Sequence, residues 1–228
     1  MTRGIVVAAL LLAACGDRKD EAMSADTSMV AAAPATAEYT VIVKGRWTKA
    51  NFSLEYPEGA AHFSGLIGAT HGDGYDIFSE GAMPTTGLER LSEEGKHTPL
   101  DAEIRAAISA GSAGALFESG ALHDFADSLV TTFQVDSDHP LVSVVAMVAP
   151  SPDWFTGVRD VNLRENGQWV TSRTIDLYAY DSGGDDGTTY RAADRDTNPK
   201  KPTMKSTDPH FVSNGAAQPV GSITFLRR

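Results

Sequence analysis

The stretch LVSVVAMVAPSPDWFTGV, residues 141–158, decides how this chain folds. Leu141 to Ala149 is nearly all apolar and rich in β-branched residues, the signature of a strand buried on both faces. Pro150 and Pro152 then fix φ on either side of Ser151 and bias the residues before them toward extended backbone. Asp153 therefore stands in a stiff turn, and a rigid carboxylate is a better ligand than a mobile one.

Downstream, Val158 to Leu163 leads back from that turn, Glu165-Asn166-Gly167 reverses the chain, and Trp169 to Tyr178 returns. Asn-Gly is a strong hairpin signal. Two reversals carry the chain to the end where it started, which places Asp153 and the loop Tyr180 to Gly187 at one rim of the sheet. That loop holds three carboxylates, Asp181, Asp185 and Asp186, and three glycines in eight residues. A solvated acidic turn is the plain reading of such a cluster. The second reading is an ion site, because carboxylates gathered at one rim raise each other's pKa unless a cation neutralises them. The donors are oxygens, so calcium leads and magnesium follows, whereas zinc calls for His or Cys. The loop lacks the helical flanks and the closing glutamate of an EF-hand.

Outside this region, Tyr39 to Trp47, Leu129 to Val135 and Gly221 to Leu226 read as further strands. One helix is predicted with Thr98 as N-cap, Pro99 at its first position and Leu100, Ile104 and Ile108 as its apolar stripe; a shorter one covers Leu88 to Ser92. Strands do not alternate regularly with helices, so the expected fold class is all-β, an antiparallel β-sandwich with short helical insertions.

A net charge of -11 and a pI near 4.9 argue against nucleic acid or an anionic membrane surface as the main partner. The N-terminus runs Met1-Thr2-Arg3, then apolar from Ile5 to Ala14, then Cys15. Residues 1–14 read as a signal peptide, too short to span a bilayer. Leu12-Ala13-Ala14-Cys15 resembles the lipobox of bacterial lipoproteins, in which the cysteine thiol receives a diacylglycerol. Residues 15–37 are then the lipidated cysteine and a flexible Ala/Ser/Thr/Asp tether, and residues 38–228 the folded part. Cys15 is the only cysteine, so no disulfide supports that fold. Gly16, rather than aspartate, follows it, which by the same resemblance implies the outer membrane.

From about Glu38 onward the chain resembles the spondin domain of F-spondin and mindin. The resemblance rests on Leu141-Val142-Ser143, on Ala149 through Val158, on Trp169, and on Leu177-Tyr178-Ala179-Tyr180-Asp181-Ser182-Gly183-Gly184-Asp185. Weaker matches are Trp47, His62-Phe63-Ser64, the Gly68-Ala69-Thr70-His71 turn and Gly81. It implies an antiparallel sandwich and a calcium site of loop carboxylates, with Asp153, Asp181 and Asp185 on the metal-ligand positions. A family glutamate falls on Gln134, which carries no charge, so weaker calcium binding is implied. The meander places Gln134 near the opposite rim.

The resemblance implies an adhesion or recognition module with a protein or glycan ligand at the envelope, membrane-bound through its lipid. The alternative is a metal-assisted envelope hydrolase at the same rim. No catalytic pattern supports an enzyme: Gly111-Ser112-Ala113-Gly114 is not a nucleophile elbow. The six histidines are scattered, with His62 and His71 the one pair placed to meet across a turn, and the three tryptophans read as core rather than as a sugar platform.

Overall fold

A computed structural model describes residues 33–228, so the expected signal peptide, Cys15 and most of the tether lie outside the described residues. In chain order the elements are β1 (Thr36–Gly45), β2 (His62–Phe63), β3 (Ile67–His71), α1 (Thr86–Glu94), α2 (Leu100–Ser109), β4 (Ala113–Glu118), β5 (Ser128–Asp136), β6 (Leu141–Ala149), β7 (Trp154–Asn162), β8 (Arg164–Glu165), β9 (Gln168–Trp169), β10 (Ser172–Asp181), β11 (Met204–Lys205), β12 (Val212–Ser213), β13 (Ala216–Ala217) and β14 (Gly221–Arg227).

The main sheet runs β4-β3-β6-β7-β10-β14-β1-β5, with antiparallel neighbours throughout. Strand β10 is its hinge: Ser172 to Leu177 pair with β14, and Tyr178 to Asp181 pair with β7. The two halves close on one core, in which Tyr39, Val41, Leu129, Phe133 and Phe225 meet Val142, Val144, Ala146 and Val148. At the far seam Phe117 of β4 stacks on Phe133 of β5 with ring centroids 4.5 Å apart. The result is the all-β, antiparallel, sandwich-like fold with two short helices that the residue pattern implied.

Strand β6 is buried on both faces because a second core lies on its other side. Val145 packs there with Ile67, Leu88, Leu91, Leu100, Ile104 and Phe155, under the two helices. Full burial of such a side chain contributes about 1.5–3 kcal/mol, which is why β6 carries no polar alternation. Helix α1 extends beyond the expected Leu88 to Ser92: Thr85 accepts from Leu88 N at 3.1 Å, and Gly95 closes the helix at φ 66.

Three sequence expectations are corrected. Thr98 does not cap α2; Pro99 is the N-cap with no side-chain bond, and Asp101 N reaches His97 O at 2.9 Å instead of the threonine hydroxyl. Gly68 to His71 is strand β3 rather than a turn, buried between β4 and β6, where a side chain at Gly68 would stand 2.4 Å from the Phe117 ring. The fold also begins before Glu38: β1 starts at Thr36, and Trp169 Nε1 donates to Pro34 O at 2.8 Å.

Candidate functional site

The hairpin that brings the acidic loops together is built as the sequence reads. Asn166 and Gly167 take φ values of 51 and 74, the left-handed pair of a tight turn between β8 and β9. Beyond it β10 runs back along β7, with Asp181 opposite Trp154. Asp153 and the loop after β10 therefore share one rim.

Asp153 is the centre of that rim, with 0% exposure. Its Oδ2 accepts four bonds, from Ser182 Oγ at 2.9 Å, Gly183 N at 2.9 Å, Gly184 N at 2.8 Å and Asp185 N at 3.2 Å. Its Oδ1 is buried with no partner among the described residues. Burial raises the Asp153 pKa, and the loop hydrogen bonds oppose that rise. The first glycine of the loop explains the close wrap: at Gly183 φ is +86, and a Cβ would lie 2.1 Å from Lys201 O.

Asp181 Oδ1 accepts from Gly183 N at 2.9 Å, and burial together with the Asp153 charge pushes its carboxyl up to about 6. Both oxygens of Asp185 accept backbone amides, Oδ1 from Gly187 N and Oδ2 from Arg195 N, each at 2.5 Å. Asp186 pairs with Lys201 at 2.7 Å. Among the described residues, no three Asp, Glu, His or Cys side chains are grouped so as to hold a metal ion. Gln134 lies exposed on β5 opposite Glu38, near the strand end that leads toward the start of β6, whereas Asp153 follows the end of β6. It does not join Asp153.

Glu93 on α1 was not singled out by sequence. Its Oε1 is buried without a partner among the described residues, and a Cβ on Gly184 would lie 2.8 Å from it. Burial, then the charges of Glu89 and Asp153, push Glu93 up to about 7. Glu89 and Glu93 stand four apart, a like-charged pair on one helical face, but that spacing carries no sign of the acidic loop.

Other candidates resolve into packing. Trp47, Trp154 and Trp169 are buried at 0%, 1% and 3% exposure, so none offers a face to a sugar. His62 stacks on His123 rather than meeting His71. His71 is fully buried, with Nε2 2.8 Å from Ser143 Oγ and Nδ1 2.8 Å from Gly72 O. Ser143 also accepts from Asp160 N at 3.1 Å, where the β6–β7 register shifts. The group ties a bulge together, and its serine is sealed from solvent. Among the described residues no helix is long and apolar enough to cross a membrane.

A family model described as Spondin_N matches residues 37–216. The chain belongs to the spondin N-terminal family. Human Spondin-2 is 30% identical over 236 residues, covering 98% of this chain and 70% of that protein. Rat Spondin-1 is 29% identical over 200 residues, covering 85% of this chain but 25% of its own length. The matched spondin span runs from within β1 to the first residue of β13, and contains Asp153, Asp181, Asp185 and Glu93.

Proposed function

We propose that this spondin chain is an exported, lipid-anchored recognition module of a bacterial envelope, whose acidic rim takes up calcium to stiffen the loops that meet a protein or glycan ligand. Cys15, outside the described residues, is the lipidation point, and its placement after an apolar signal core supports the anchor. The family supports a recognition module over an enzyme.

The observation that carries the calcium reading is Asp153 Oδ1, a fully buried carboxylate oxygen with no donor beside it among the described residues. An unpaired buried charge is costly, and such a group takes either a proton or a cation. The donor set fits a hard cation. Asp153 would hold the ion, Asp181 stands at its edge, and Asp185 shapes the loop through its two amide bonds. A bound calcium supplies positive charge to the rim and a link between its loops. With few carboxylates converging, affinity is expected in the weak range of extracellular modules, a Kd of about 0.1–1 mM.

Thermal unfolding of the full chain in excess calcium and in chelator tests this reading. Calcium is expected to raise the wild-type Tm and to leave Asp153→Ala unmoved. Equal melting of wild type with and without calcium removes the calcium site.

A further inference from the structure

We infer that Glu93 of α1 is a second anionic ligand of the cation held by Asp153, so that the ion ties the helical layer to the acidic loop. The inference rests on the calcium reading above. It adds to the two loops a third element that no local motif points to.

Among the described residues, two buried oxygens at this rim have no partner, Asp153 Oδ1 and Glu93 Oε1. One residue touches both carboxylates: Gly184 donates its amide to Asp153 Oδ2 at 2.8 Å, and its missing Cβ would lie 2.8 Å from Glu93 Oε1. Glycine at this point keeps open the space beside Glu93 Oε1 while its amide holds the other oxygen of Asp153. Any larger residue would occupy it.

The rest of α1 shows that Glu93 is set apart. Glu89 pairs with Lys200, and Glu94 with Arg90 and Lys96, while Glu93 has no ion pair among the described residues. Like charges four apart on a helix oppose each other, so leaving Glu93 without a cation is unfavourable.

Access to Glu93 is provided by a cleft of about 580 Å³ whose wall includes Glu89, Glu93, Pro152 and Asp196 together with Arg90 and Lys200. Asp153 lies buried directly after its Pro152 wall. Five acids against Arg90 and Lys200 leave the cleft net acidic, a field that favours cations, and the Glu93 oxygen that has no partner among the described residues belongs to a residue of the cleft wall. Oxygen-only donors favour calcium or magnesium over a softer metal, with carbonyls and water completing the shell.

Calorimetric titration of calcium chloride into the full chain tests the assignment, comparing wild type with Glu93→Gln, Glu89→Gln and Asp153→Asn. Glu93→Gln is expected to weaken binding about tenfold or more, while Glu89→Gln, which removes the same charge from the same cleft, stays within about threefold. Circular dichroism confirms that each variant is folded. If Glu93→Gln binds as wild type while Asp153→Asn does not bind, the calcium reading stands and Glu93 is no ligand. Equal losses in Glu93→Gln and Glu89→Gln reduce Glu93 to a contributor to the general field and overturn the assignment. No heat with any chain, wild type included, removes the calcium reading itself and leaves the two carboxyls sharing a proton.

Discussion

Gly184 donates its amide to Asp153 Oδ2 over 2.8 Å, a bond that joins two loops 31 residues apart. Three more donors converge on the same oxygen, so the carboxylate acts as the core of the loop after β10. Asp153→Ala leaves those buried donors unsatisfied, with an expected loss of roughly 3 kcal/mol or more. For a chain of this size that corresponds to a Tm lower by about 6–12 °C. Asp153→Asn keeps an acceptor for the loop and is expected to lose clearly less in chelator. Equal melting of the two variants would argue that the amides do not depend on this acceptor.

Gly183 and Gly184 separate backbone need from cradle need. Gly183→Ala forces a left-handed residue against Lys201 O and is expected to cost about 2 kcal/mol or more in chelator. Gly184→Ala meets the end of the Glu93 side chain, which can move, so its stability loss is expected to be the smaller. Chemical denaturation of both variants in chelator checks the order; Gly184→Ala as the more damaging would reverse the assignment.

Stability of the calcium-free chain is expected to fall as pH rises. Burial, then Glu89 and Asp153, raise Glu93 from 4.5 to about 7, and burial, then Asp153, raises Asp181 from 3.8 to about 6. Each acid binds its proton more tightly in the folded state. Its contribution is therefore full below the unfolded value and is lost as pH climbs through the folded one. The window runs from 3.8 to about 7. Melting across it in chelator, taken as the difference between wild type and Glu93→Gln, isolates the upper part. A difference that grows in favour of wild type as pH rises has the wrong sign for this account.

On the proposed lipid anchor, membrane attachment depends on one thiol. Cys15→Ala is expected to move the chain from the membrane to the soluble fraction on fractionation of expressing cells. Unchanged membrane association of the variant would remove the lipid anchor.

Much of the fold is written locally. The apolar run of β6 announces burial on both faces, and Asn166-Gly167 fixes the reversal that sets Asp181 opposite Trp154. The bend of β10 is not written that way, because residues on either side of Leu177 alternate alike while their partner strands change. Gly68 to His71 has a turn's small residues, yet it is a strand because Phe117 needs the room above Gly68. Thr98 has a cap's chemistry, but His97 O already takes the Asp101 amide. Glu93 is hidden for a different reason: its approach to Gly184 exists only once α1 packs on β6 and β7, and no spacing within the chain encodes that approach.

Terbium luminescence tests the central claim most directly, because Trp154 adjoins Asp153 and an ion held there lies close enough to be sensitised by indole excitation. The account predicts that terbium emission grows on titration into the wild-type chain, is displaced by excess calcium, and is absent from Asp153→Asn. Emission of equal strength from wild type and Asp153→Asn, or none from wild type, would contradict it.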